Sequence, residues 1–234
     1  MLSEHRPSFV SLVRGAGPGT ILRKTLEQIW WTRVFLGLRC DLASLPPVRP
    51  AKFALTLKPY DSVTFSGFLD ELQRVRRLDF IDVFLRQSMC DAGVQTLYAA
   101  PGPDGSPAYA QWLVTARDQY LLHSHQPGRY PPLAPDEALL EGLYTFCRFR
   151  RTGVMANGMA QLLRVAQAGG ARTVFTYVAA ENALSLRGCA NVGFVLDHLR
   201  MNTRRLGLRS SVVGPVDECA RQLWVAATAP HPSG

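Results

Sequence analysis

Lysine is nearly absent from this 234-residue chain: Lys24, Lys52 and Lys58 are the full set. Lys plus Arg nevertheless reaches 26 against 18 acidic residues, so the net charge of +8 is carried by arginine. Its planar fork donates hydrogen bonds in pairs and suits phosphate and carboxylate groups. No long basic run, zinc-finger spacing or aromatic–glycine RNA signature goes with that charge, and nucleic acid is not an expected partner. Cys40, Cys90, Cys147, Cys189 and Cys219 lie far apart without a CxxC pair. With a polar opening over residues 1–19 that is broken by proline and glycine, this leads to the expectation of reduced thiols in a cytoplasm. No apolar run approaches 18 residues, which excludes a membrane-spanning helix. His123-Ser124-His125 lacks further ligands at metal spacing, so no metal is expected. No nucleophile elbow or Ser-His-Asp arrangement is visible, nor any internal repeat or low-complexity tract.

What is present suits a globular fold: 47% hydrophobic and 19% charged residues. Three parts are expected. Residues 1–49 hold a tail, an amphipathic helix over 20–38 and a linker marked by Pro46, Pro47 and Pro50. Residues 50–214 form the main domain, and residues 215–234 a peripheral tail with a helix near 216–224. The helix over 20–38 rests on the 3.6-residue spacing of Leu22, Leu26, Ile29, Trp30, Arg33, Val34 and Gly37. Packing on the main domain or on a partner subunit and lying at a membrane surface through Trp30-Trp31 are both open to it, the latter making the chain peripheral to the inner membrane. Within the main domain the pattern predicts a strand over 52–58 and helices over 64–76 and 80–92. A hairpin follows, with strands 94–99 and 108–116 joined by Pro101-Gly102-Pro103-Asp104-Gly105. Next come a short strand over 119–123 and a proline-rich loop over 127–135. The remaining elements are a strand over 141–149, a helix over 154–168, a strand over 173–179, a short helix over 183–192 and a hairpin over 194–213. This order makes a mixed α/β sheet with helices on both faces.

The segment from Glu141 to Phe194 is the most specific part. Arg150-Arg151-Thr152-Gly153-Val154-Met155 is a basic, glycine-containing turn that enters a helix N-terminus. Backbone N–H groups there have no intrahelical partner, and the helix dipole adds favourable potential, which suits a pyrophosphate. The helix ends at Gly169-Gly170, and Asn182 and Gly193-Phe194 follow the next strand.

In this order and spacing the segment resembles the GNAT superfamily of acyl-CoA-dependent N-acyltransferases. The resemblance covers roughly residues 50–214 by element order and has its motifs in 141–194. It implies a mostly antiparallel sheet in which the strand before the turn is splayed from its neighbour. It also implies acetyl-CoA or another acyl-CoA as co-substrate, an amine acceptor and no metal. Arg150-x-x-Gly153-x-Met155 fills two of the three fixed positions of the family's turn and departs at Met155. Asn182 and Ser185 match positions that meet the pantetheine arm. Cys189 stands where the family has the tyrosine that protonates the departing thiolate; a thiol has a lower reference pKa but a shorter reach.

Acyl transfer needs a base for the amine, donors for the oxyanion and a proton for the thiolate. Glu141, among Leu140 and Leu143, is the candidate base, with Glu137 second; a solvated strand-end carboxylate is the bland alternative for Glu141. Backbone N–H groups of Cys147, Arg148 and Phe149 are expected to meet the oxyanion, with Cys147 itself a strand core residue. Arg150, Arg151 and the amides of Gly153, Val154, Met155 and Ala156 are expected to hold the phosphates. Three rivals stay open: a synthase of N-acyl amino acids or acyl-homoserine lactones that takes long chains from acyl carrier protein, which the basic surface suits, an acyl-CoA-binding sensor without catalysis, and a membrane-associated assembly protein using the Trp30-Trp31 helix.

Overall fold

The computed structural model describes residues 30–60, 96–125, 128, 130–206 and 208–229. Its strands are β1 Trp30–Asp41, β2 Lys58–Pro59, β3 Leu97–Pro101, β4 Pro107–Thr115, β5 Glu137–Thr145, β6 Thr173–Ala179, β7 Val195–Arg205 and β8 Leu208–Gly214. Its helices are α1 Gln119–His125, α2 Val154–Ala168, α3 Ala183–Ala190 and α4 Glu218–Thr228. One eight-stranded sheet runs in the order β2-β3-β4-β5-β6-β1-β7-β8. Every neighbouring pair is antiparallel except β5–β6. The expected mixed, mostly antiparallel sheet is therefore present.

The N-terminal segment departs from expectation. Residues 30–41 are a strand in the middle of the sheet, between β6 and β7, and not part of a helix. The physical reason is a change of period. Leu36, Leu38 and Cys40 are buried while Arg39 and Asp41 are exposed, which is strand alternation, and Trp, Thr, Val and Phe favour the pleated surface. Leu22, Leu26 and Ile29 of the 3.6-residue pattern lie outside the described residues. Leu36 and Leu38 are fully buried, worth about 1.5–3 kcal/mol each, so β1 is integral to the core. A boundary at residue 50 does not separate it from the main sheet, and the interfacial helix is not formed over 30–38.

Two shorter segments also differ. Residues 53–57 do not pair as a strand; Gln161 of α2 holds them by accepting from the Leu57 N–H (3.1 Å) and donating to the Leu55 carbonyl (2.7 Å). Residues 119–125 are helix and not strand. Thr115 donates to Asp118 (2.7 Å) and the Asp118 carbonyl accepts from Leu121 (3.1 Å), which starts a turn, while Gln119 bridges to both backbone groups of Leu133. Leu122 is buried and Tyr120 exposed. The helices expected over 64–76 and 80–92 lie outside the described residues.

The second half follows its pattern closely. Helix α2 buries Met159, Leu162, Leu163 and Ala166 on one stripe, and β6 alternates Val174, Thr176 and Val178 inward. Asp217 caps α4, which packs on α3, and Arg187 donates to the Ala227 carbonyl (3.0 Å).

Candidate active site

Strands β5 and β6 pair only from Glu137↔Thr173 to Leu140↔Thr176. Beyond that point each keeps its own outer neighbour: β5 stays on β4 as far as Tyr109↔Thr145, and β6 stays on β1 as far as Phe35↔Ala179. The sheet therefore opens into a cleft between residues 141–145 and 177–179. The opening coincides with Gly142, whose φ of 63° suits glycine. A Cβ at 142 would also lie 2.7 Å from the Trp112 ring. The register of β4 against β5 shifts here, between Ala110 and Trp112, so a β-bulge starts the splay.

Past β5 the chain turns sharply. Cys147–Phe149 form a 3-10 turn and not the end of a strand. Phe146 and Phe149 are both buried, and a 3-10 turn stacks residues three apart on one side. The Phe149 N–H donates to the Phe146 carbonyl (2.9 Å) and the Arg150 N–H to that of Cys147 (3.3 Å). The Phe149 amide is therefore engaged, which removes Phe149 from the expected oxyanion donors Cys147, Arg148 and Phe149. Cys147 is exposed and not a core residue. Arg148 pairs with Asp104 of the β3–β4 turn. The Ser106 hydroxyl and amide, followed by Arg148, lower the Asp104 pKa to about 2.

The turn itself matches the requirement for an anion. Arg151 (φ 62°) and Gly153 (φ 82°) are both left-handed, and the bend is fastened to the linker by the Lys52 N–H on the Thr152 carbonyl (2.8 Å). The first hydrogen bond of α2 runs from the Asn157 N–H to the Gly153 carbonyl (3.1 Å). Among the described residues none supplies an acceptor to the amides of Gly153, Val154, Met155 or Ala156. Arg150 reaches back to the Thr145 carbonyl (3.2 Å) and lies over the Tyr144 ring; Arg151 is exposed. Met155, the departure in the turn, carries its thioether onto Gly188 of α3, where a Cβ would sit 2.6 Å from the Met155 terminal methyl.

Asn182 caps α3, its side-chain oxygen accepting from the Ser185 N–H (3.1 Å). Cys189 is 2% exposed, and burial, with Cys40 adding to it, pushes its thiol up to about 12. It belongs to the core on the sheet face of Leu36, Leu38 and Cys40.

Glu141 belongs to the opposite face. Leu140 and Thr176 pair directly and project together, so Glu141 and Tyr177 share the other side. Gly37 pairs with Tyr177 on one side and His198 on the other. One row across the sheet thus runs Glu141, Tyr177, Gly37, His198, starting at the cleft. His198 Nδ1 lies 2.9 Å from Asp197 Oδ2 and Nε2 lies 3.3 Å from the Tyr177 hydroxyl. The buried Arg200 guanidinium stands 3.7 Å from the Tyr177 ring centre. Sequence reasoning did not identify Tyr177, Asp197, His198 or Gly142. A glycine directly after Glu141 in a strand was the available signal for the bulge. The other three depended on where β1 inserts.

A cavity of about 530 Å³ lies elsewhere, along the C-terminal half of α2 between Leu163, Arg164 and the 42–48 segment. Among the described residues no group of His, Cys, Asp and Glu is arranged to hold a metal.

No protein-family model matches the sequence, and no curated protein matches it. Solved structures do match the fold. One is the GCN5-related glucosamine N-acetyltransferase region of a fungal multi-domain GH3 β-N-acetylglucosaminidase. Its TM-score is 0.53, with 13% identity over 79% of this chain and 22% of that one. An acetyltransferase of the GNAT family from Colwellia psychrerythraea gives 0.52, with 10% identity over 78% of this chain and 60% of that one. A GCN5-related N-acetyltransferase from Sphaerobacter thermophilus gives 0.50, with 13% identity over 86% and 59%. The chain thus spans less than two thirds of the length of each of these three. They establish that the chain has the GNAT fold.

Proposed function

We propose that this protein is an acyl-CoA-dependent N-acyltransferase that moves an acyl group, acetyl in the simplest case, to a primary amine by direct attack. The observation that carries the reading is the set of amides at 153–156, without an acceptor among the described residues, on the chain that leaves the splayed half of β5. A helix N-terminus with unpartnered donors and nearby arginines suits a diphosphate. In this reading the 153–156 amides, Arg150 and Arg151 hold the phosphates, while the Asn182 side-chain amide and the Ser185 hydroxyl orient the pantetheine arm. Acyl-CoA supplies the acyl group as an activated thioester, and coenzyme A thiolate leaves. Glu141, at the mouth of the cleft and half-buried, takes the proton of the attacking amine.

Calorimetric titration with acetyl-CoA, run beside a thiol-release assay over a panel of primary amines, tests this. Binding accompanied by amine-dependent thiol release is expected. A second reading, an acyl-CoA-binding module without turnover, is favoured by the burial of Cys189 at the position of the family's acid. Tight binding with no release for any amine would move the assignment there. Replacing acetyl-CoA by acyl carrier protein loaded with a long chain distinguishes the donor, because the arginine-rich surface suits an acidic carrier.

A further inference from the structure

We propose that Tyr177, His198 and Asp197 form a proton relay that carries the amine's proton away from Glu141; this rests on the acyltransferase reading above. The relay is built by the insertion of β1. That strand separates β6 from β7, so Tyr177 and His198 lie two strands apart and meet only because the residue between them is Gly37. A Cβ at 37 would sit 2.3 Å from His198 Nε2. Glycine there has a negative-φ strand conformation, so what it supplies is space for the imidazole to lean across. Asp197 sits where the β1–β7 register shifts, after Gly37/Leu38. It accepts from Arg39 Nε of β1 (3.2 Å) as well as from His198.

These contacts give the chain a direction. Asp197 takes a proton-bearing Nδ1, which leaves the Nε2 lone pair for the Tyr177 hydroxyl. Burial raises the Tyr177 pKa; Arg200 opposes this, and Glu141, Asp197 and Glu137 add to it. The phenol therefore stays protonated near neutral pH and works as a shuttle. Glu141 and Tyr177 each follow the last paired position, Leu140↔Thr176, and so face each other across the start of the cleft on one side of the sheet.

The amine's N–H proton passes to the Glu141 carboxylate and the new C–N bond forms as the C–S bond breaks. The Glu141 proton moves to the Tyr177 oxygen while the Tyr177 proton moves to His198 Nε2, giving an imidazolium beside Asp197. His198 then returns a proton to solvent, and the thiolate takes one from solvent. The charged groups around the pair are Arg39, Arg200, Glu137, Glu141 and Asp197. Tyr177 is the proposed catalytic residue; His198 and Asp197 act through it. The imidazole, a stronger base than a carboxylate, drives the proton off the amine.

The test compares wild type with Tyr177→Phe and His198→Asn, each checked for unchanged thermal unfolding. Two readouts are used. In the first, nitrogen NMR of the full chain without acetyl-CoA, above the titration of imidazole, should find the His198 proton on Nδ1. A proton on Nε2 overturns the relay. In the second, steady-state rates with acetyl-CoA and the best amine of the panel should fall about 10²-fold in kcat for either variant, the low end for proton-transfer groups, with KM for acetyl-CoA unchanged. The acid limb of the pH–rate profile should move to lower pH as control passes from imidazole to carboxylate. If wild type turns over and Tyr177→Phe keeps both kcat and the acid limb, the relay alone fails. If wild type binds acetyl-CoA but releases no thiol with any amine, the acyltransferase reading fails and the relay goes with it.

Discussion

Replacing Gly153 by alanine tests the anion-binding turn through two separable effects. The first is conformational. Residue 153 has φ of 82°, and placing an L side chain in the left-handed region costs about 1–2 kcal/mol. The added Cβ would also stand 3.1 Å from Ala51 Cα and 3.2 Å from the Pro50 carbonyl oxygen. Both are backbone atoms, fastened to the turn by the Lys52–Thr152 hydrogen bond, so the turn must shift by a few tenths of an ångström. For a chain of this size, 1 kcal/mol moves Tm by about 2–4 °C, and a fall of about 2–8 °C is expected. The second effect is on the ligand. Hydrogen bonds to a charged group contribute about 1.5–3 kcal/mol, so losing one of those made by the 153–156 amides raises Kd for coenzyme A roughly tenfold or more. Gly105→Ala is the control: φ is 80°, yet nothing lies within 4 Å of its Cβ position. It should lower Tm by the φ cost alone and leave Kd unchanged. Differential scanning calorimetry and titration calorimetry read the two effects. A lowered Tm with an unchanged Kd in Gly153→Ala would refute the assignment of the diphosphate to this turn.

Other perturbations separate the remaining elements. Glu141→Gln should lower kcat by about 10²–10⁴, the range for a positioned base, with the dissociation constant of acetyl-CoA preserved in titration calorimetry. Gly37→Val should destabilise by about 1–3 kcal/mol through overpacking against the His198 ring, 2.3 Å from the Cβ position, as read by urea unfolding. Cys147 and Cys219, both exposed, should react quickly with a thiol reagent, while Cys40 and Cys189 react only on unfolding; peptide mass spectrometry resolves them. Burial pushes the Cys40 thiol up to about 11 and Cys189 to about 12, from an unfolded value near 9.0. Their contribution is fully present below pH 9. It is lost as pH rises from there toward 11–12, because the unfolded thiols ionise first. The slope is about 1.4 kcal/mol per pH unit for each thiol, measured by urea unfolding across pH.

The sequence was most informative where local signals and tertiary structure agreed. The stripe of Met159, Leu162, Leu163 and Ala166, the double glycine at 169–170 and the alternation of 173–179 gave α2 and β6 their observed limits. The β3–β4 hairpin was equally plain from its Pro-Gly-Pro-Asp-Gly turn. β1 was misread because a short apolar spacing over 22–30 extends into a segment whose own alternation starts only at Leu36. The end of β5 was misread because Phe146 and Phe149 satisfy a continuing apolar run and a 3-10 turn equally well. Arg150, Gly153, Asn182 and Glu141 were visible as types at spacing. The row through Tyr177 and His198 was not, because it exists only once a strand some 140 residues earlier in the chain slides between β6 and β7.

The acyltransferase reading requires main-chain donors at the start of α2 to hold the diphosphate of coenzyme A. A crystal structure of the full chain with coenzyme A tests it most directly. The account predicts amide nitrogens of Gly153, Val154, Met155 and Ala156 within about 2.7–3.2 Å of diphosphate oxygens. Coenzyme A seated instead in the cavity between Leu163, Arg164 and the 42–48 segment, with those amides facing only water, would contradict it.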